Sequence, residues 1–413
     1  MIFLLCLCSF FVSDDLFSVV KIGGFTLRLF QVAMLPILAA GLWKSVSRSV
    51  WPTGFGYLLL WTLFILGFVP NTVFLSRSIG YGLFLIFNVL MVLGITAVVD
   101  TEAKLHTVLR FYVYSFGFSA AFGLLQFALP LAGFQPPLVI EWWFPGTLAR
   151  INGFTYEPSY YATYMLTGWV MMDYLRLKKY SIPYLRTVFW LVTIALFMSS
   201  SRMGWVLMAA WLGLKLYWRV REGKSLWLPV TAACGVVLLA AVALRGVDLS
   251  TLDFLTNGLG ILDDYGSHST KGRWDLALQT LHIYTSSPVI GVSLGGVAPA
   301  IGGQNHVTID DNEDAKANEG LCTTLEILAA SGTFGFLFYL AYMSGLFYTI
   351  VQVPDDAVLN KALGWALVFL ILILQFNQNI LRPYVWFHIG LLSAAYRLLP
   401  RVSHAVRPVQ VHA

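Results

Sequence analysis

Long apolar stretches separated by short polar ones recur along the whole chain, and this pattern predicts membrane-spanning helices. A helix needs about 20 mostly apolar residues to cross roughly 30 Å of hydrocarbon. The candidate spans lie at residues 2–13, 25–43, 53–70, 77–99, 107–133, 158–175, 183–200, 203–218, 226–244, 321–351, 362–379 and 383–399. The first is short for a crossing, so either it tilts or the chain starts a few residues upstream. The expected fold is all-α, a polytopic membrane helix bundle of about 12 transmembrane helices, with residues 1–413 forming a single membrane domain.

The basic residues divide unevenly between the two sides of such a bundle, which predicts its orientation. With alternating spans, 16 of the 26 lysines and arginines fall on one side and 10 on the other, four of them within residues 245–320. Short cytoplasmic loops are enriched in Lys and Arg, whereas long translocated loops escape this rule. Both termini are therefore expected in the cytoplasm, and residues 245–320 are expected to form a large loop on the outer face.

The composition excludes an ordinary soluble protein and gives no sign of nucleic-acid binding. Of the 413 residues, 58% are hydrophobic and 11% are charged, whereas a soluble protein carries about 25% charged residues. Such a chain cannot cover a water-facing surface, so the lipid bilayer is the expected partner of most of it. The net charge of +5 is small, and no basic run is dense. The four cysteines lie in or beside apolar segments without metal-ligand spacing and are expected to be buried apolar side chains.

The long loop is the one sizeable polar region of the chain. It carries ten of the 21 acidic residues, including a cluster at 310–314 that a solvated acidic face would explain. Within the loop, residues 286–302 are apolar, rich in glycine and interrupted by prolines. We expect this segment to lie against the membrane surface, since a crossing would place the basic C-terminal tail outside.

The first candidate site lies at the outer start of the sixth span, in residues 150–162. Glu157 precedes Pro158, and proline suits the first turn of a helix. Glu157 is therefore either a capping acid favoured by the helix dipole or a general base for a sugar hydroxyl at the membrane surface. The nearby Tyr156, Tyr160 and Tyr161 fit an interfacial aromatic belt or a sugar-stacking platform.

Three outer-face arginines are candidates for binding a diphosphate. Arg202 follows three serines in a short turn, so hydroxyls, helix-start amides and a guanidinium come together there. Snorkelling or an ion pair is the alternative for Arg202. Arg273 in the long loop would complement it, or is a solvated loop charge. Arg382, in the last outer turn, is the third candidate. No Walker loop and no HExxH occurs, and the histidines are scattered, so any chemistry is expected to be metal-independent.

In this order, five short segments resemble the superfamily of O-antigen ligases and Wzy-type O-antigen polymerases. They are GFTYEPSYYA at 153–162, SSRMG at 200–204, GRWDLA at 272–277, SPVIG at 287–291 and LEILAASGTFG at 325–335. Each segment is weak alone, but their order, about twelve spans and one large loop before the tenth strengthen the match. The resemblance covers mainly residues 150–345.

This resemblance implies a glycosyltransferase of the bacterial inner membrane whose active face, with the 245–320 loop, is periplasmic. Glycan would move from a polyprenyl-diphosphate-linked oligosaccharide onto an acceptor glycan or glycolipid, with inversion and with neither cofactor nor metal. Arg202 and Arg273 would bind the lipid diphosphate. A chain-length regulator is a further candidate partner.

One departure from the family pattern leaves the catalytic base open. Many members carry a His-Asn pair just before the motif that ends in Gly332, and that histidine is thought to activate the acceptor. Here Leu321 and Cys322 occupy those positions. Glu157, His306 and Glu319 are the candidate replacements. The missing histidine and the Glu-Pro-Ser element favour a polymerase that joins polysaccharide repeat units over a ligase that joins glycan to lipid A-core.

Two other classes of function are alternatives to a glycosyltransferase. A flippase or other transporter of lipid-linked oligosaccharide would place charged residues near the membrane midplane and often contains repeated, broken helices. The predicted spans are nearly free of charge at their centres, which argues against transport. A structural partner in an envelope assembly complex has no positive support in the sequence.

Overall fold

In the part of the chain that the structure describes, the protein is a mostly helical bundle with two short β-hairpins. The computed structural model describes residues 1–22, 25–144, 146–223, 264–307, 309, 320, 322–376 and 380–399. The helices are α1 (Ile2–Ser9), α2 (Leu29–Arg48), α3 (Phe55–Gly67), α4 (Leu75–Val98), α5 (Glu102–Leu131), α6 (Pro158–Leu177), α7 (Leu185–Met198), α8 (Arg202–Arg221), α9 (Asp264–Ser286), α10 (Val297–Gln304), α11 (Thr323–Gln352), α12 (Val358–Ile373) and α13 (Pro383–Leu398). The expected all-α class therefore holds apart from the hairpins.

Each hairpin fills a connection between helices at the same end of the bundle. Strand β1 (Ser18–Ile22) pairs antiparallel with β2 (Phe25–Arg28) between α1 and α2. Strand β3 (Trp142–Phe144) pairs antiparallel with β4 (Leu148–Ala149) between α5 and α6. The backbone amide of Asp15, just before β1, donates to the carbonyl of Phe154, just after β4, over 2.9 Å. We call this end of the bundle the hairpin end.

Four of the described helices, α2, α4, α5 and α11, are long and apolar enough to cross a membrane. Helices α3, α7 and α12 are shorter apolar helices. The bundle is consistent with a helical membrane protein, and the number of about 12 spans stays a prediction. The predicted span at 226–244, and the loop as far as residue 263, lie outside the described residues.

Close helix packing places two helices at the centre of the bundle. Helices α6 and α13 are buried along nearly their whole lengths. Helix α13 packs on α4, and α6 packs on α12. Helix α4 packs in turn on α2, where an added Cβ at Gly41 would lie 2.2 Å from the Gly94 Cα. Small residues let membrane helices approach this closely.

The end opposite the hairpins collects charges that the basic-residue pattern assigns to one side. Asp100 pairs with Lys44 over 3.2 Å and also with Lys104. Buried Asp173 accepts from Arg176 over 2.7 Å and from Lys215 over 2.6 Å. These four basic residues all belong to the predicted cytoplasmic set. We call this end the Asp100 end.

Candidate functional site

The candidate site is built around the starts of the two buried helices at the hairpin end. Helix α6 begins at Pro158 with Glu157 in the N-cap position and in extended backbone. The Glu157 side chain is exposed, and its Oε2 accepts a hydrogen bond from the Ser159 hydroxyl over 3.0 Å. Among the described residues, this carboxylate forms no capping bond to a backbone amide. Glu157 is thus a carboxylate at a helix start with room for an incoming hydroxyl.

The tyrosines of this segment pack inside the protein more than they face lipid. Tyr160 and Tyr161 are buried, and Tyr156 is half-buried. A Cβ at Gly153, which has a φ of 56°, would lie 2.6 Å from the Tyr161 ring. The glycine therefore lets the chain turn tightly over this ring before α6 starts.

Arg382 is held in a buried cluster beside the start of α6. It occupies the N-cap position of α13 and is 7% exposed. Its guanidinium forms an ion pair with Asp15 and lies over the Tyr160 ring at 3.9 Å from the centroid. Asp15, which is 2% exposed, also pairs with Arg28 over 2.9 Å. Burial raises the pKa of the neighbouring Asp14 carboxyl, against the hydrogen bonds from the amides of Phe17 and Leu16.

Arg202 is placed as the sequence predicted, at the start of α8 after a very short turn from α7. Ser200 adopts a positive φ of 55°, which turns the chain, and the Ser201 hydroxyl accepts from the Gly204 amide over 3.4 Å. The Arg202 side chain is exposed. A helix start with hydroxyls and a guanidinium can contact phosphate oxygens.

A break in α11 joins two of the sequence segments that carry the family resemblance. Gly332 interrupts the helix with a φ of 58° and a ψ of −171°. The amides of Val292 and Ser293 donate to the carbonyls of Ala329 and Ala330 over 3.1 and 2.9 Å. The Thr333 amide donates to the carbonyl of Pro288 over 2.8 Å. The motif at 325–335 is therefore docked by backbone hydrogen bonds onto residues 288–293, which overlap and directly follow the motif at 287–291.

Comparison with protein families identifies the segment that contains this break. The O-antigen ligase family model (Wzy_C) matches residues 187–340. Over these residues the chain is similar to the O-antigen ligase family. The match confirms the resemblance to the O-antigen ligase and polymerase superfamily. No curated protein matches the chain.

The O-antigen ligase segment covers some of the candidate residues and leaves others outside. It includes Arg202, Arg273 and His306, whereas Glu157 and Arg382 flank it. The matched family carries out glycosyl transfer of the O-antigen ligase or polymerase type. The match also agrees with the apolar helices, because proteins of this family are membrane proteins.

The remaining predicted residues lie on other elements of the fold. Arg273 is within α9, which packs on α11. His306 is exposed, has a φ of 55°, and follows the end of α10 by two residues. Glu319 lies outside the described residues. The structure joins the Glu157 and Arg382 regions through Tyr160, and leaves Arg202, Arg273 and His306 on separate elements.

Several residues at the hairpin end were not singled out by the sequence pattern. Asp15 and Arg28 lie in a short connection that resembles any polar loop, so only their contacts reveal them. Ser293 is buried with a φ of 74°, and its hydroxyl has no partner among the described residues. The spacing Gly-Val-Ser-Leu-Gly at 291–295 is the signal that marks it.

One cavity lies at the Asp100 end of the molecule. It measures about 1090 Å³, and its lining includes His106, Tyr180, Asn360 and Arg397. Glu157, Arg202, His306 and Arg382, whose side chains the structure describes, do not line it.

Proposed function

We propose that this protein is a glycosyltransferase of the bacterial inner membrane that polymerises polysaccharide repeat units on its periplasmic face. The O-antigen ligase match over residues 187–340 carries the proposal. The positions at which α6 and α13 begin also support the proposal, because polar groups lie there at one end of an apolar bundle. The pairing of cytoplasmic-type basic residues at the Asp100 end favours a periplasmic hairpin end.

The proposed reaction is a single displacement at the anomeric carbon. The oxygen of an acceptor hydroxyl attacks this carbon, the bond from the carbon to the diphosphate oxygen breaks, and polyprenyl diphosphate leaves with the electron pair. The hydroxyl proton passes to the general base. Attack opposite the leaving group inverts the anomeric configuration. Neither a metal ion nor a nucleotide is required in this scheme.

Arg202 and Arg273 are proposed to bind the diphosphate and stabilise its growing negative charge. The exposed guanidinium of Arg202 at a helix start suits phosphate oxygens, since Arg forms paired, charge-assisted hydrogen bonds. Arg273 lies on α9, which is within the matched segment and packs against α11. Arg382 is the third candidate, and its buried pairing with Asp15 makes a direct phosphate contact the weaker role for it.

Glu157 is the proposed general base, with His306 and Glu319 as alternatives. Its carboxylate is exposed, and the one hydrogen bond it accepts among the described residues comes from a side-chain hydroxyl. An acceptor sugar hydroxyl can form the same kind of bond. Leu321 and Cys322 stand where many family members carry a His-Asn pair. Because the histidine is missing there, another residue must accept the proton of the acceptor hydroxyl.

A ligase that joins glycan to lipid A-core is the second candidate, favoured by the description of the matched family as O-antigen ligase. The two are separated by their products. Purified protein is incubated with polyprenyl-diphosphate repeat units, with and without lipid A-core. A polymerase extends the glycan on the carrier lipid in both mixtures. Transfer to lipid A-core without any chain growth would overturn the polymerase assignment.

A further inference from the structure

A buried ion cluster ties the two ends of the chain together beside the candidate base. Asp15, from the connection between α1 and β1, pairs with Arg28 at the end of β2 and with Arg382 at the start of α13. The exposed fractions of the Asp15 and Arg382 side chains are 3% and 8%. Removing a carboxylate and two guanidiniums from water costs free energy, which is recovered only when the ion pairs are well placed. In some proteins such buried ionic groups specify a single arrangement of the packed segments.

The cluster reaches the first turn of α6 through two kinds of contact. The guanidinium of Arg382 covers the ring of Tyr160 at 3.9 Å, within the range of a cation–π interaction. The Tyr160 amide donates to the Glu157 carbonyl over 3.1 Å, within the turn that opens α6. Tyr160 therefore stands between the charged cluster and the candidate base.

The segment before α6 is held by the same cluster from its other side. The Asp15 amide donates to the Phe154 carbonyl, and the rings of Phe17 and Phe154 lie 6.0 Å apart. The carboxylate of Asp14 accepts from the amides of Leu16 and Phe17 over 2.9 and 3.0 Å, which fixes the turn that carries Asp15. Residues 154 and 160, on both sides of Glu157, are thus attached to one unit.

We propose that Asp15, together with Arg28 and Arg382, is a positioning unit that fixes Glu157 for its reaction. This inference rests on the proposed role of Glu157. A positioning role for Arg382 agrees with its burial, because its guanidinium already contacts Asp15 and the Tyr160 ring. In this role the three residues act through the placement of the Glu157 carboxylate and not through contact with the donor or the acceptor.

The kinetic test compares variants with and without the candidate base. Asp15→Asn, Arg382→Gln and the double variant are assayed for glycan transfer in nanodiscs, each also with Glu157→Gln. Each single change is expected to lower kcat by at least about tenfold, since misplacing a catalytic group costs up to roughly a hundredfold. The KM for the lipid-linked donor should stay within about twofold, and the double variant should be no slower than the slower single variant.

The Glu157→Gln background separates positioning from general damage. There, Asp15→Asn should lower kcat by less than about twofold, because the group it positions is gone. The matched control is Asp173→Asn, which removes a buried carboxylate with three donors at the Asp100 end. Its kcat per folded molecule should equal that of the wild type. Full kcat in Asp15→Asn, or an equal loss with and without Glu157, would overturn the inference.

A wild-type protein that transfers no glycan would refute the proposed function itself. An accessibility test, which needs no glycan transfer, then still decides whether the positioning unit holds residue 157. Glu157→Cys, in a background without the native cysteines, is labelled with an impermeant thiol reagent. Adding Asp15→Asn should change the labelling rate by at least about threefold, whereas Asp173→Asn should not. An unchanged rate would refute the positioning unit. If Asp15→Asn does not fold, Tyr160→Leu should replace it and change the rate more than Tyr160→Phe, which keeps an aromatic face under Arg382.

Discussion

Replacing Gly332 by alanine should damage the junction between the two family motifs. With a φ of 58° and a ψ of −171°, Gly332 occupies a backbone region that is essentially restricted to glycine. Holding alanine there costs about 1–3 kcal/mol. Its Cβ would also lie 2.4 Å from the Val289 carbonyl oxygen and 2.6 Å from the Ile290 amide nitrogen. Because both are backbone atoms, they cannot move aside cheaply, and overpacking adds about 1–3 kcal/mol.

The expected loss is therefore about 2–5 kcal/mol, a large part of the roughly 5–15 kcal/mol that stabilises a typical protein. Thermal unfolding of the purified protein in detergent measures it as a lower melting temperature. Gly345→Ala is the matched control in the same helix, since a Cβ there meets nothing within 4 Å. It should leave stability unchanged or raise it by up to about 1 kcal/mol. Equal melting of Gly332→Ala and wild type would refute the account of the break.

Four further predictions test the orientation, the diphosphate site, the base and the Asp100 end. In a background without native cysteines, His268→Cys should react with an impermeant thiol reagent in intact cells and Lys179→Cys should not; labelling of residue 179 from outside would reverse the orientation. Arg202→Ala should lower the rate by about thirtyfold or more, for a loss of about 2–5 kcal/mol, and lysine should rescue it poorly; near-normal product from well-expressed Arg202→Ala would remove Arg202 from the site. Glu157→Gln should lower the rate by about a hundredfold with donor binding intact; full activity would leave Glu157 as a dipole-stabilising acid worth at most about 1 kcal/mol. The hydrogen bond from Lys104 lowers the pKa of Asp100. The ionised Asp100 side chain therefore stabilises the folded protein above about pH 4, and this contribution is lost as the pH falls. Asp100→Asn should therefore cost at most about 1 kcal/mol at pH 7, and a penalty that persists unchanged at pH 3 would contradict this pairing.

Local signals in the sequence predicted the helix starts that frame the site. Pro158 marks the first turn of α6, and three serines before Arg202 mark the short turn into α8. Both depend on neighbours in the chain, since a fixed φ or a capping hydroxyl acts within a few residues. The family resemblance rests on segments of the same local kind, and the match over residues 187–340 confirms it.

Contacts between distant segments could not be predicted in the same way. Asp15 and Arg382 come from opposite ends of the chain, and nothing in either local pattern specifies the partner. The motif that contains Gly332 was recognised as the entry to a span, but its docking on residues 288–293 depends on three hydrogen bonds across the fold. The identity of the base stays a prediction for a related reason, because it depends on where the acceptor hydroxyl lies.

Release of the carrier lipid during glycan transfer tests the central claim most directly. Purified protein in liposomes is supplied with polyprenyl-diphosphate oligosaccharide and acceptor, in the presence of a chelator. The account predicts one polyprenyl diphosphate released for each new glycosidic bond, with inverted anomeric configuration. Movement of the intact lipid-linked oligosaccharide across the bilayer, with no bond formed and no diphosphate released, would contradict it and identify a transporter.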